Sequence, residues 1–212
     1  MENENIMKTG TTTVGIVCKE GIILAADRRA TSGSLISDKK AQKIYQINDS
    51  MALTTAGVVS DVQLLVKLIK AELSLKEIRT ERKPNVKESV NLLAGLVYSN
   101  IRKMSMITGI SHFLFAGNDY KGFHLYDIYA DGSLTKHDSY VSSGSGSVIA
   151  YGVLETLYKN DMKIDEGVKL AVKCINAALQ RDSATGNGID VVTITKDGIK
   201  KVFEKEIKQD LY

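Results

Sequence analysis

Tryptophan is absent from this 212-residue chain, proline occurs once, at Pro84, and there are only two cysteines and three histidines. Without a proline- or glycine-rich hinge, an internal repeat or a low-complexity tract, the length fits one domain. Cys18 and Cys174 lie far apart, each in an apolar segment. That excludes a disulfide framework and reads as two reduced, buried thiols. His112, His124 and His137 show no ligand spacing to one another, to Cys or to a carboxylate, so no metal site is expected. All three read as surface or strand-edge side chains. No apolar run approaches the roughly 20 residues of a membrane span. The opening MENENIMKTG carries Glu2, Glu4 and Lys8 without an apolar core, unlike a secretory signal. A cytoplasmic protein is expected. Neither sign of charge dominates: 28 Lys and Arg stand against 25 Asp and Glu, giving +3. These charges are interleaved, so neither a nucleic-acid face nor a membrane face is expected.

What is present is an ordinary globular balance, with 43% hydrophobic and 25% charged residues. TTTVGIVC (11–18) and GIILAAD (21–27) have the β-branched character of strands joined by a short turn. KIYQIN (43–48) and MALTTAG (51–57) form a second such pair. From Val58 the period becomes helical, through Val62, Leu65, Ile69 and Leu73. After Pro84, Asn85 and Glu88 have capping-box spacing, and a second helix is expected over 85–107. Strands return at 112–117, 123–129 and 140–141. Two more helices are expected, over 147–159 and 165–180, before strands at 189–195 and 199–204. Hairpin-linked strands imply antiparallel sheets, and the helices come in consecutive pairs. Two stacked sheets covered on each outer side by a helix pair, an αββα sandwich of the α+β class, bury every apolar face.

Chemistry is harder to find. Gly144-Ser145-Gly146-Ser147 precedes a helix but lacks the lysine of a phosphate loop, so a tight turn and a helix cap are expected there. What remains is acid, base and hydroxyl. Asp27 closes a strand, Lys43 opens one, and Gly10 abuts Thr11, Thr12 and Thr13. Alone, each residue is ordinary: a turn Asp, a solvated Lys, threonines in a strand.

Together they carry a resemblance. TGTTTVGI, LAADRRAT (24–31), AQKIYQI around Lys43, TAGVVSD (55–61), SSGSGSVIAYGVLE (142–155), DEGVKLA (165–171) and QRDSATGNGIDV (180–191) occur in order. The chain so resembles the catalytic β subunits of archaeal 20S proteasomes, threonine proteases of the N-terminal nucleophile class, over nearly its whole length. The resemblance implies the same αββα fold, a removable segment 1–10 and a catalytic domain 11–212. It makes Thr11 the nucleophile, exposed by cleavage after Gly10, with Asp27 and Lys43 as its acidic and basic partners. Ser145, Asp182 and Thr185 would surround the new α-amine, Thr185 standing where the family more often has Ser. The Gly57 N–H would hold the oxyanion. Ala30, Ala41, Tyr45, Thr55 and Val59 would line an uncharged pocket, favouring cleavage after apolar residues. Backbone groups of Thr31, Gly57 and Val59 would pair with an extended peptide.

The implied assembly is two inner heptameric rings of β subunits between two rings of α subunits, fed with unfolded polypeptide by an ATP-dependent unfoldase. Neither cofactor nor metal is implied. Chemically, a threonine hydroxyl needs a base, and the freed α-amine, with an ordinary pKa of about 7.7–8.0, supplies one without histidine. Gly10 suits the junction because it lacks a Cβ and tolerates strained dihedrals. Thr12 and Thr13 are expected to be sheet residues only.

Overall fold

Side chains on alternate faces of the strands decide the layering. In β2 (Gly21–Asp27), Ile22 and Leu24 enter one apolar cluster while Ile23 and Ala25 enter another. In β7 (Ser111–Asp119), Leu114 and Ala116 join Ile22 and Leu24, whereas Phe113 and Phe115 point the opposite way. Such strands are buried on both faces and need partners on both. The computed structural model, which describes residues 10–106 and 108–207, supplies them.

One sheet has the order β10-β1-β2-β11-β12, with β1 at Thr13–Cys18, β10 at Tyr140–Ser143, β11 at Gly188–Thr195 and β12 at Gly198–Glu206. The other runs β5-β6-β7-β8-β9, with β5 at Ile44–Gln46, β6 at Met51–Gly57, β8 at Gly122–Ile128 and β9 at Leu134–His137. Every pairing in both is antiparallel. The cluster of Ile22, Leu24, Ala52, Leu114, Ala116, Leu125, Val141 and Ile194 fills the space between the sheets. Helices α1 (Val59–Thr80) and α2 (Val86–Ile101) cover one outer face through Leu65, Ile69, Val90 and Leu93 against Phe113 and Phe115. Helices α3 (Ser147–Leu157) and α4 (Ile164–Leu179) cover the other through Ala150, Leu154, Ala171 and Ile175. The fold is the expected αββα sandwich.

Local chemistry sets several boundaries. Asn85 accepts from the Glu88 N–H and the Glu88 carboxylate accepts from the Asn85 N–H, the capping box the spacing predicts. That helix stops at Ile101, short of the expected 107, because Arg102 leaves helical geometry at φ −93° and ψ 0°. Residue 107 lies outside the described residues, as do residues 1–9 of the expected leader segment. Gly146 caps α3 without any side-chain hydrogen bond, so the serines there do not cap as expected. A small third sheet was not anticipated: β3 (Ala30–Ser32) pairs with β4 (Leu35–Asp38) around Gly33 at φ +59°. It stands on the surface, with all four residues of β4 exposed.

Candidate active site

Thr11 and Thr12 precede β1 and are almost completely buried. Their position follows from antiparallel pairing of β1 with both β2 and β10, which brings Asp27 and the loop after Ser143 alongside them. Asp27, at the end of β2, has no exposed surface. Its Oδ1 accepts from the Thr12 N–H at 3.0 Å and from Lys43 Nζ at 2.7 Å. Its Oδ2 accepts from the N–H groups of Arg29 at 3.0 Å and Gly186 at 2.9 Å. Four donors hold a buried carboxylate in place, the condition for keeping charge away from water.

Lys43, just ahead of β5, is equally enclosed, its side chain 7% exposed. Burial pushes its ammonium below the ordinary lysine value, and the Asp27 carboxylate opposes that shift. Lys43 Nζ also reaches the Gly10 carbonyl oxygen at 3.4 Å. Thr11 Oγ1 donates to that same oxygen at 2.6 Å. The hydroxyl and the ammonium therefore converge on the carbonyl just upstream of Thr11.

On the other side of Thr11, its N–H donates to Ser145 Oγ at 3.2 Å. Ser145 Oγ in turn donates to Asp182 Oδ2 at 2.6 Å. Thr185 Oγ1 donates to the same carboxylate oxygen at 2.6 Å and lies 2.6 Å from Thr12 Oγ1. Since Thr185 has spent its proton on Asp182, Thr12 is the donor in the last pair. A continuous chain results, from the Thr11 nitrogen through Ser145, Asp182 and Thr185 to Thr12. Thr12 is thus more than sheet. The sequence offered no signal for this, because a buried threonine before a strand looks the same with or without a polar partner. Gly144 sits against the Thr11 carbonyl, where a β-carbon would overlap it, at φ +94°. Here glycine is required by both space and backbone.

A cleft of about 430 Å³ opens onto Gly10 and Thr11. Ala30, Thr31, Ala41, Tyr45, Thr55, Gly57 and Val59 all line it, together with Asp38, Gln42 and Gln63. Gly57 has φ +122°, and a β-carbon there would overlap the Ile110 carbonyl.

Two further arrangements escaped the sequence. Arg29 Nε donates to Asn187 Oδ1 at 2.8 Å and its Nη1 to the Ser183 carbonyl at 2.7 Å, bracing the loop that carries Asp182 and Thr185. His112 lies between Asp127 and Ser143, its Nδ1 2.8 Å from Ser143 Oγ and its Nε2 hydrogen-bonded to Asp127. Where a surface or strand-edge histidine was expected, His112 is partly buried between two polar partners. Ser143 is 3% exposed and none of the three lines the cleft, so the trio ties β7 and β8 to β10 across the two sheets. Among the described residues no cluster of His, Cys, Asp or Glu suits a metal ion, and no helix is long and apolar enough to cross a membrane.

Residues 7–194 match the Proteasome family, described as proteasome subunit. The chain belongs to that family. A proteasome subunit beta from Archaeoglobus profundus is 46% identical over 202 residues, covering 95% of this chain and 92% of the relative. One from Archaeoglobus fulgidus is 45% identical and covers 100% of this chain and 97% of its own length. One from Methanocaldococcus fervens is 41% identical, covering 98% and 91%. The proteasome subunit resembles archaeal β subunits along essentially its full length. Five of the seven motifs that carry the family likeness supply the hydrogen-bonded groups around Thr11, TAGVVSD lines the cleft, and DEGVKLA lies in α4.

Proposed function

We propose that this chain is a threonine peptidase of a proteasome core, formed as a precursor that removes its residues 1–10 by self-cleavage after Gly10. Family membership supports the peptidase role. The observation that carries the finer reading is the Thr11 hydroxyl resting on the Gly10 carbonyl oxygen at 2.6 Å, with Lys43 on the same oxygen.

In the precursor the Thr11 nitrogen is an amide and cannot serve as a base. Thr11 Oγ adds to the Gly10 carbonyl carbon, the Gly10–Thr11 C–N bond breaks, and the hydroxyl proton ends on the departing nitrogen. Water then hydrolyses the ester, restoring the hydroxyl and leaving Gly10 as a free carboxylate. The released amine, with an ordinary pKa of about 7.7–8.0, now accepts the proton of its own residue's hydroxyl when a substrate peptide occupies the cleft. Lys43, fixed by Asp27, stabilises the developing alkoxide. The Gly57 N–H receives the oxyanion. Ser145, Asp182 and Thr185 orient the amine.

Ala30, Ala41, Tyr45, Thr55 and Val59 give an uncharged part of the lining that accepts apolar side chains, with Asp38 and Lys43 the charged members of the cleft, and the backbone of Thr31, Gly57 and Val59 pairs with an extended chain. Unfolded polypeptides are therefore the substrates, delivered by an ATP-dependent unfoldase into cytoplasmic heptameric β rings stacked between α rings. Exposed apolar side chains on the helices, among them Leu75 and Ile78 on α1 and Val148 and Leu157 on α3, suit burial against neighbouring subunits.

Production with an α subunit, followed by intact mass, tests the reading. The expected mass begins at Thr11, and Thr11→Ala retains residues 1–10 and loses peptide hydrolysis by about 10³-fold or more. An active particle that keeps those residues rejects it. Dominant cleavage after Asp or Arg rejects the pocket assignment.

A further inference from the structure

Gly10 is buried and is absent from the glycines with positive φ, unlike Gly57 and Gly144. Its backbone is one that any residue can adopt, so conformational strain does not explain why glycine stands there. Space does. A β-carbon on Gly10 would overlap the Ala184 methyl, and would lie 2.8 Å from the Ala184 Cα and 3.0 Å from its carbonyl oxygen. Ala184 cannot easily retreat. Its N–H donates to Asp182 Oδ1 at 3.2 Å, the Thr185 N–H donates to the Asp182 carbonyl at 3.1 Å, and Arg29 grips Ser183 and Asn187 on either side. Gly10 is itself tethered, its N–H donating to Thr31 Oγ1 at 3.1 Å.

We infer that Ala184 is the specificity-determining residue of self-cleavage: its methyl admits only glycine before Thr11. Any larger residue displaces the scissile carbonyl from Thr11 Oγ1 and Lys43, which together engage it. The inference rests on the self-cleavage reading above and names what that reading selects for. It separates processing from later turnover, because no substrate residue needs to occupy the position of Gly10 against the wall once the leader is gone. The bond made is the ester between Thr11 Oγ and the Gly10 carbonyl carbon; the bond broken is the Gly10–Thr11 amide, whose nitrogen takes the hydroxyl proton.

The test compares rates of leader loss, by intact mass, in assembled particles of the wild type, Gly10→Ala and Gly10→Ala/Ala184→Gly, with native mass and melting temperature confirming assembly. Gly10→Ala is expected to slow cleavage about 100-fold, as a misplacement near 1 Å does. Removing the methyl in the double variant is expected to return about tenfold of that. Recovery is partial because the Ala184 Cα still crowds the added carbon. A double variant no faster than Gly10→Ala, or a Gly10→Ala protein that processes at the wild-type rate, overturns the inference. A fourth particle, released from a ubiquitin fusion so that Thr11 is its first residue, separates the two claims. Peptide hydrolysis by that particle without rescue in the double variant overturns the wall alone. No hydrolysis by it overturns the N-terminal nucleophile as well.

Discussion

At the scale of single residues, Thr11 is held by two hydrogen-bonded groups with different duties. Lys43, held by Asp27, meets the Thr11 hydroxyl at the Gly10 carbonyl oxygen; Ser145, Asp182, Thr185 and Thr12 lie on the side of its nitrogen. Thr12→Val tests the second group. Valine keeps the shape but removes the donor to Thr185, so kcat for a fluorogenic peptide should fall about tenfold with KM unchanged, the kinetic equivalent of one ordinary hydrogen bond. An unchanged kcat would return Thr12 to the role of plain sheet residue. Lys43→Met tests the first group. It leaves Asp27 a buried charge with only its three backbone donors. Stability in a urea titration should drop by about 3 kcal/mol, and self-cleavage should cease. Thr11, Asp27 and Lys43 were legible in the sequence through the family resemblance, since a Gly–Thr junction, a strand-end Asp and a strand-opening Lys are each ordinary alone. Thr12, Arg29 and His112 were not. Their partners lie 15 to 173 positions away in the chain, and nothing in the residue types announces the pairing.

At the scale of elements, the strands and helices that bury apolar side chains on a regular period were readable, whereas those without one were not. The β3–β4 hairpin is short, and all four residues of β4 are exposed. LTKH in β9 is likewise mostly polar. The hairpin nevertheless contributes Ala30, Thr31, Ser37 and Asp38 to the cleft, so its omission hid part of the lining. The α2 capping box shows the opposite case, a local pattern whose physics is complete in four residues. Arg82 first, then the Asn85 N–H and Lys76, hold the Glu88 carboxyl down at about 2 against an unfolded value of 4.5. A folded pKa below the unfolded one means that the unfolded chain binds more protons between the two. The contribution is whole above pH 4.5 and is lost as pH falls toward 2. Glu88→Gln should cost about 1 kcal/mol at neutral pH and flatten that acid limb in a pH series of urea melts. The side chain is 26% exposed, so added salt should shrink the effect.

For the whole molecule, the apolar layer between the β10-β1-β2-β11-β12 sheet and helices α3 and α4 encloses both thiols. Cys18 is 6% exposed and Cys174 fully buried, and burial pushes each thiol up to about 12 from 9.0. The folded protein should therefore resist iodoacetamide at pH 8 and react at both positions once unfolded. Because the folded thiols hold their protons longer, their contribution to stability is complete below pH 9 and declines as pH rises toward 12. On the proposed function, the freed amine of Thr11 is the base for the hydroxyl of its own residue. Peptide turnover by the mature particle should accordingly rise with pH through about 7.7–8.0 as that amine loses its proton. The most direct measurement compares two mature particles that differ only at the Thr11 nitrogen, one free and one acetylated, on the same fluorogenic peptide. The account predicts that acetylation removes turnover by about 10³-fold or more. Full turnover by the acetylated particle would contradict it.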